Sequence, residues 1–304
     1  MSDAALRLGL VGRGPWGQAY MRTAPRIEGI ELCAVAGRDW HGLLGQSLDG
    51  AIIATPASTH LEIAARFVAA GVPVLVEKPL CLDLASALRF REEVARQRGL
   101  ALVDHIHVFS PAYRRLKALS PALGAITRIE SCGGRHGPFR PDSSPLWDWG
   151  PHDVSMVLDL LGESPRRVSA RRTFDERVEE GIAQVVELEL EFARGLLARI
   201  TVGNKLPHTR RFAVSHGQGT LVYDDLAAPK LLLLDADAVA ERRWREALAA
   251  DGLDRLPLDC VLERFRDLIR ERKPQPGQLD LAVNVVRVLE SAERSLGSTG
   301  NAPP

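Results

Sequence analysis

Cysteine is sparse. Four residues in 304, Cys33, Cys81, Cys132 and Cys260, lie far apart, and no two form a C-x-x-C pair. That spacing indicates neither a disulfide framework nor a zinc site. Each thiol is expected to behave as a small apolar residue in a reducing cytoplasm. Excess charge of either sign is also missing, because 39 basic residues meet 39 acidic ones. Without a bulk field, no nucleic-acid partner and no anionic membrane surface are expected. No apolar run approaches the roughly 20 residues that cross a bilayer. Met1-Ser2-Asp3-Ala4-Ala5 lacks the basic region and apolar core of a secretory signal, so a cytoplasmic location is expected. No internal repeat is visible. What is present is a chain with 45% apolar residues. At roughly 100–200 residues per domain, its length suggests two domains.

The N-terminal third alternates short apolar runs with helical patterns. Leu6–Val11 reads as a buried parallel strand and is followed at once by Gly12-Arg13-Gly14-Pro15-Trp16-Gly17. A helix from Pro15 to about Ala24 and a strand over Glu31–Ala36 complete one βαβ unit. That is the context in which G-x-G-x-x-G acts as a phosphate cradle. Its glycines admit the backbone close to a pyrophosphate, and the helix N-terminus supplies N–H groups and a favourable dipole. Where a carboxylate would hold the ribose 2′-OH of NAD, the chain has Gly37 followed by Arg38. An arginine there favours the 2′-phosphate of NADP over NAD. The bland alternative is that Arg38 is a solvated helix-start residue and Asp39 its N-cap.

Further strands are expected at Ala51–Ala54, ended by Thr55-Pro56, at Val72–Val76, ended by Glu77-Lys78-Pro79, and at Leu100–Val103. Helices are expected at Leu61–Ala70, just after His60, and at Leu84–Arg98. This alternation implies an open parallel sheet with helices on both faces. Gly12, Gly37, Thr55, Lys78 and His105 then converge at the carboxyl ends of its strands, where such sheets bind ligands.

The rest of the chain reads differently. A helix begins at Ser110-Pro111, a strand covers Ala125–Gly133, and Gly134–Pro145 reads as a polar loop whose Arg135, His136, Arg140 and Asp142 either reach substrate or are solvated. Asp148-Trp149-Gly150-Pro151-His152 opens a helical pattern over Asp153–Leu161. Strands follow at Val168–Thr173, Ile182–Glu191, Leu196–Val202, Arg211–Val214, Thr220–Val222 and Lys230–Leu234. Two helices, near Leu258–Arg272 and Leu279–Leu296, close the chain. Consecutive strands imply a mainly antiparallel sheet, hence an α+β domain. The expected division is residues 1–108 and 109–304.

Asp148 and His152 are four residues apart, on one face of a helical turn. Oxidising a carbinol requires a base within reach of the hydroxyl proton. His152 suits that role by its ordinary pKa, and Asp148 can orient its imidazole. Lys78, at a buried strand end, can hydrogen-bond the carbinol oxygen, with a pKa lowered by burial and by a nicotinamide's charge. The alternatives are a strand-end turn for Lys78, an N-cap for Asp148 and a helix-surface residue for His152. His105 and His107 alternate along a strand end, but with no carboxylate in register no metal site is assigned. Trp147 and Trp149 are either a stacking wall or core, and Arg264, Arg266, Arg270, Arg272 and Lys273 a solvated helix face.

The order of G-R-G-P-W-G at Gly12–Gly17, A-I-I-A-T-P-A-S-T-H at Ala51–His60, V-L-V-E-K-P-L at Val74–Leu80 and W-D-W-G-P-H-D at Trp147–Asp153 resembles the glucose–fructose oxidoreductase/inositol dehydrogenase (Gfo/Idh/MocA) family. The resemblance implies a Rossmann domain followed by a domain whose open sheet serves a homo-oligomer, a dimer or tetramer. It implies catalytic positions at Lys78, Asp148 and His152. It also implies a dinucleotide, NADP or NAD, held by Gly12–Gly17, Gly37, Arg38, Thr55, Pro56, His60, Glu77 and Lys78. The implied activity interconverts a secondary alcohol and a ketone on a sugar, nucleotide-sugar or polyol. An imine or other C=O reductase, and a non-catalytic dinucleotide sensor, are the alternatives. One departure is large. Members usually place a helix, a strand and a helix between the second strand and the A-T-P strand, and here only Asp39–Gly50 fills that gap. The second strand is therefore expected at the sheet edge, beside a thinner adenine wall.

Overall fold

The computed structural model describes residues 4–139, 144–235, 248–249, 251–272 and 276–298. Arg140, Asp142 and Lys273, noted above, lie outside them. The chain forms two compact units, Met1–Ile106 with Leu256–Val286, and His107–Arg255 with Arg287–Pro304. The C-terminal stretch that sequence alone assigns wholly to the second domain is shared. The side chains of Phe265 and Ile269 converge with Leu8 on Gly50, where an added Cβ would meet all three within 3.0 Å.

In the first unit β1 (Leu6–Val11), α1 (Pro15–Thr23), β2 (Ile30–Ala36), β3 (Gly50–Ile53), α2 (His60–Ala69), β4 (Val74–Glu77), α3 (Leu84–Arg96) and β5 (Ala101–Asp104) follow in order. The strands form one sheet, β2-β1-β3-β4-β5, and every neighbouring pair is parallel. β3, β4 and β5 are buried throughout, which is why their sequences run apolar without alternation. The chain turns one way from β1 to β2 and the other way onward from β3, so the β1/β3 boundary is the topological switch point. β2 is the edge strand, as the short crossover requires. That crossover is a 3₁₀ turn, His41–Gly45, seated by buried Trp40 and Leu43.

The second unit contains α4 (Pro111–Leu119), β6 (Ile126–His136), α5 (Pro145–Leu161), β7 (Arg167–Val178), β8 (Gly181–Glu191), β9 (Leu197–Gly203), β10 (Lys205–His216), β11 (Gly219–Asp224) and β12 (Leu231–Leu234). They form a seven-stranded sheet, β12-β11-β10-β6-β9-β8-β7, antiparallel except where β6 meets β9. Helix α5 lies on β6, β8 and β9. Helices α6 (Pro257–Glu271) and α7 (Pro276–Ser298) end the described chain.

Three local expectations change. β6 runs on through Gly134, Arg135 and His136, because glycines at 133 and 134 let the sheet close tightly. A Cβ on Gly134 would strike the Gly203 carbonyl oxygen of β9. Helix α5 begins at Pro145, well before Asp153, and passes through Pro151. The Gly150-Pro151 pair looks like a start signal, but Gly150 is small because Leu289 of α7 packs against it, 2.9 Å from where a Cβ would stand. Finally, β5 ends at Asp104 and a 3₁₀ turn covers Ile106–Phe109, so His105 and His107 share no strand face.

Candidate active site

The glycine turn connects β1 to α1 at the switch point. Gly12 has φ +122°, where only glycine is relaxed, and a side chain there would fall on the Ala54 carbonyl oxygen. A side chain on Gly17 would fall on the carbonyl of Gly12. Gly14 has open space around its Cβ position, with no atom within 4 Å. It is the N-cap of α1, followed by Pro15 in a first turn with no acidic residue. No N-cap side chain accepts from the N–H groups of that turn, which leaves them available to an anionic group. These residues fit a dinucleotide pyrophosphate.

Beside the turn, along the open edge of β2, lies a cavity of about 360 Å³ lined by Arg13, Ala34–Gly37, Asp39, Gly42, Leu43 and Gln46. The Arg13 guanidinium donates to the Val35 carbonyl at 3.0 Å, using the acceptor that the missing strand would have paired. Arg38, the expected 2′-phosphate ligand, is exposed and outside this lining. Asp39 is within it.

At the neighbouring strand ends, His60 is buried with both ring nitrogens committed, Nδ1 to the Pro79 carbonyl at 2.9 Å and Nε2 to the Thr55 carbonyl at 2.8 Å. It ties the end of β3 to the end of β4, and burial holds its pKa below the usual value. Lys78 follows β4 directly and is 9% exposed. Its backbone N–H donates to Glu77 Oε2 at 3.2 Å. Glu77 pairs in register with Asp104 on β5, and Tyr20 of α1 donates to Asp104 Oδ2 at 2.5 Å. Burial, then the Asp104 charge, pushes the Glu77 carboxyl well above its ordinary range. Burial raises Asp104 to about 6, opposed by the Tyr20 donor and the Lys78 charge. His105, beside them, is pushed down to about 3 by burial first and by Lys78 second, so its imidazole is neutral.

The second unit carries the other two expected catalytic residues. Ser144 is the N-cap of α5, which leaves Asp148 in the first turn of the helix and His152 one turn further along. Asp148 is half-buried, whereas His152 is 6% exposed. The His107 ring stands edge-on to His152 with centroids 5.0 Å apart, and His107 Nδ1 meets the Tyr223 hydroxyl at 2.9 Å. Directly after His152, Asp153 makes a buried ion pair with Arg210 of β10 at 2.8 Å, and Ser131 of β6 donates to the other carboxylate oxygen at 2.5 Å. Trp149 covers the Arg210 guanidinium, 5.1 Å from ring centroid to carbon. Trp147 is buried and donates to Glu293 at 3.1 Å, so of the two tryptophans it is the core residue. The arginines of α6 are only partly a solvated face, because Arg266 donates to the Glu28 carbonyl at 2.8 Å.

Lys78, Thr55, Pro56, His60, Glu77 and Gly12–Gly17 thus gather at one end of the first sheet, while Asp148 and His152 share a helix of the second unit. The sequence reading omits Tyr20, Asp104, Asp153 and Arg210. Asp153 had a local signal, as the last residue of W-D-W-G-P-H-D. The others are joined to their partners only by the folded chain. Among the described residues no group of three or more His, Cys, Asp or Glu could hold a metal ion, and no helix is long and apolar enough to cross a membrane.

This arrangement defines a dinucleotide-binding domain joined to an α+β domain. A family model described as an oxidoreductase family with an NAD-binding Rossmann fold matches residues 34–105, and the Gfo/Idh/MocA C-terminal domain matches residues 114–222. The chain is 31% identical to inositol 2-dehydrogenase 4 of Saccharopolyspora erythraea, over 66% of this chain and 68% of that protein. It is 35% identical to UDP-N-acetylglucosamine 3-dehydrogenase of Acidithiobacillus ferrooxidans over a shorter stretch, 40% of this chain and 39% of that one. A crystal structure from Magnetospirillum magnetotacticum, of a protein assigned as an oxidoreductase, superimposes with a TM-score of 0.85 at 36% identity, covering 95% of this chain and 100% of that one. The chain belongs to the Gfo/Idh/MocA oxidoreductase family.

Proposed function

We propose that the protein is a nicotinamide-dependent dehydrogenase that interconverts a secondary alcohol and a ketone on a cyclic polyol, sugar or nucleotide-sugar. The observation that carries this reading is the phosphate cradle at Gly12–Gly17 in the same sheet as Lys78, each at a strand's carboxyl end. The named activities of the inositol and UDP-sugar relatives support the substrate class. When bound, the dinucleotide accepts or returns the hydride. Gly12–Gly17 hold its pyrophosphate, and Thr55, Pro56, Gly37 and Arg38 border it. His60 and Glu77 shape the strand ends around it. Lys78 holds the carbinol oxygen by a hydrogen bond from its Nζ. Lys78 and His152 are the groups that handle the hydroxyl proton, and Asp148 orients the imidazole.

Arg38 and Arg13 favour NADP through the 2′-phosphate, whereas Asp39, within the cavity, favours the 2′-hydroxyl of NAD. Calorimetric titration with both dinucleotides decides between them, and tighter binding of NAD would remove the arginine argument. A spectrophotometric screen of inositols and UDP-sugars then tests the activity. We also propose a cytoplasmic homo-oligomer, a dimer or tetramer built through the open face of the second sheet. Analytical ultracentrifugation reads the oligomeric state directly, and a monomer at all concentrations would overturn this reading.

A further inference from the structure

The carboxyl ends of β4 and β5 bury more polar atoms than they satisfy. Glu77 Oε1, Asp104 Oδ1 and both ring nitrogens of His105 are buried without a hydrogen-bond partner. Buried polar groups are paired in about 90% of cases or more, so a cluster of exceptions needs a cause. Glu77 is 4% exposed and Asp104 1%, and they sit opposite each other across adjacent parallel strands. Two ionised carboxylates there would leave a net negative charge in a desolvated site even with the Lys78 ammonium beside them. One proton on the pair removes that charge. Tyr20 donates its hydrogen to Asp104 Oδ2, which favours Asp104 as the ionised member of the pair. Glu77 Oε2 accepts the Lys78 amide, and Oε1 remains to carry the proton.

We propose that Glu77 is a neutral carboxylic acid, that Asp104 is its ionised neighbour, and that together with Tyr20 they are positioning residues that set the proton on Lys78. A proton passed from the Lys78 ammonium to Asp104 breaks an N–H bond and forms an O–H bond. It leaves a neutral amine and two neutral acids, with no net charge created. Lys78 can then exchange a proton with a carbinol without drawing on bulk solvent. The other titratable groups facing the cluster do not supply that proton: His105 is neutral, and both nitrogens of His60 face backbone carbonyls. The acid pair follows from the geometry alone, whereas its catalytic use rests on the proposed role of Lys78.

The test is the infrared C=O stretch of protonated carboxyl groups in the full-length protein, at about pH 8, well above the ordinary carboxyl range. Wild type should show a carboxylic acid band there, and Glu77→Gln should lose it. In Asp104→Asn, Glu77 faces only the Lys78 charge, so the band should vanish at lower pH. Tyr20→Phe removes the donor from Asp104 and should move its titration upward. No such band in wild type, or a band unchanged in Glu77→Gln, overturns the proposal. The wild-type result needs no variant to fold. The spectrum is read without cofactor or substrate, so it stands apart from the fate of the dehydrogenase reading. Once a substrate is known, Asp104→Asn, which removes the ionised acceptor, should lower kcat roughly tenfold, with KM unchanged, and shift the pH profile by about one unit, whereas Glu77→Gln, which keeps a neutral group there, should move it less. An unmoved profile overturns the catalytic link.

Discussion

Lys78 and His152 stand in opposite kinds of surroundings. Lys78 adjoins a buried ionisable cluster of Glu77, Asp104 and Tyr20. His152 lies among rings, with the His107 ring edge-on to it and Tyr223 beyond His107, and the next residue, Asp153, is held in a buried ion pair with Arg210. A lysine must stay partnered to remain buried, because an isolated ammonium is costly to desolvate. An imidazole can be buried neutral and needs orientation more than compensation. The first site is thus built from electrostatics and the second from packing, and substitutions in the two should fail differently.

The largest effect is expected at Lys78. Lys78→Met should lower kcat by about 10²- to 10⁴-fold, the usual worth of a positioned proton-transfer group. Fold and dinucleotide affinity should stay near wild type. Steady-state kinetics with parallel calorimetry read both. In the second unit the corresponding break is structural. Arg210→Met strands the buried Asp153 carboxylate, for a loss of about 3–5 kcal/mol in chemical denaturation. If Arg210→Met is as stable as wild type, the buried Asp153–Arg210 pair does not anchor α5 to the sheet.

These two predictions draw on residues that were unequally legible in the sequence. Gly12–Gly17, the buried runs of β1, β3 and β4, and Lys78 at a strand end are local signals, each contained in a few residues. The edge position of β2 was legible too, because the stretch between Arg38 and Ala51 is too short for a further strand with its helices. Arg210 is 57 positions from Asp153 and Tyr20 84 positions from Asp104, and neither pairing leaves a trace in composition or period. The start of α5 was misplaced for a related reason. Gly150-Pro151 has the form of a helix boundary, and its actual explanation, the approach of Leu289, comes from far along the chain.

A smaller effect concerns pH. Asp104 in the folded chain titrates near 6, above its ordinary value of 3.8, so folding favours its protonated form. That contribution is complete below about pH 4 and is lost as pH rises through about 6. Relative to wild type, Asp104→Asn should therefore gain stability across that window, by at most about 1.4 kcal/mol per pH unit. Denaturation curves at several pH values check it, and a constant difference between the two proteins contradicts it. The smallest effect is on cofactor choice. Gly37→Asp combined with Arg38→Gln should shift preference toward NAD by about tenfold, roughly one charged hydrogen bond. If the preference stays put, Arg13 and Asp39 govern the cavity instead.

The account rests on Lys78 acting as the proton-handling group of a nicotinamide-dependent dehydrogenase. The most direct test follows reduced nicotinamide by absorbance while wild type and Lys78→Met are offered NAD or NADP with a panel of inositols and UDP-sugars. Wild type should bind a dinucleotide and reduce it with at least one member of the panel, and Lys78→Met should bind it equally and not reduce it. A wild type that binds neither dinucleotide, or a Lys78→Met variant that turns over at the wild-type rate, would contradict the account.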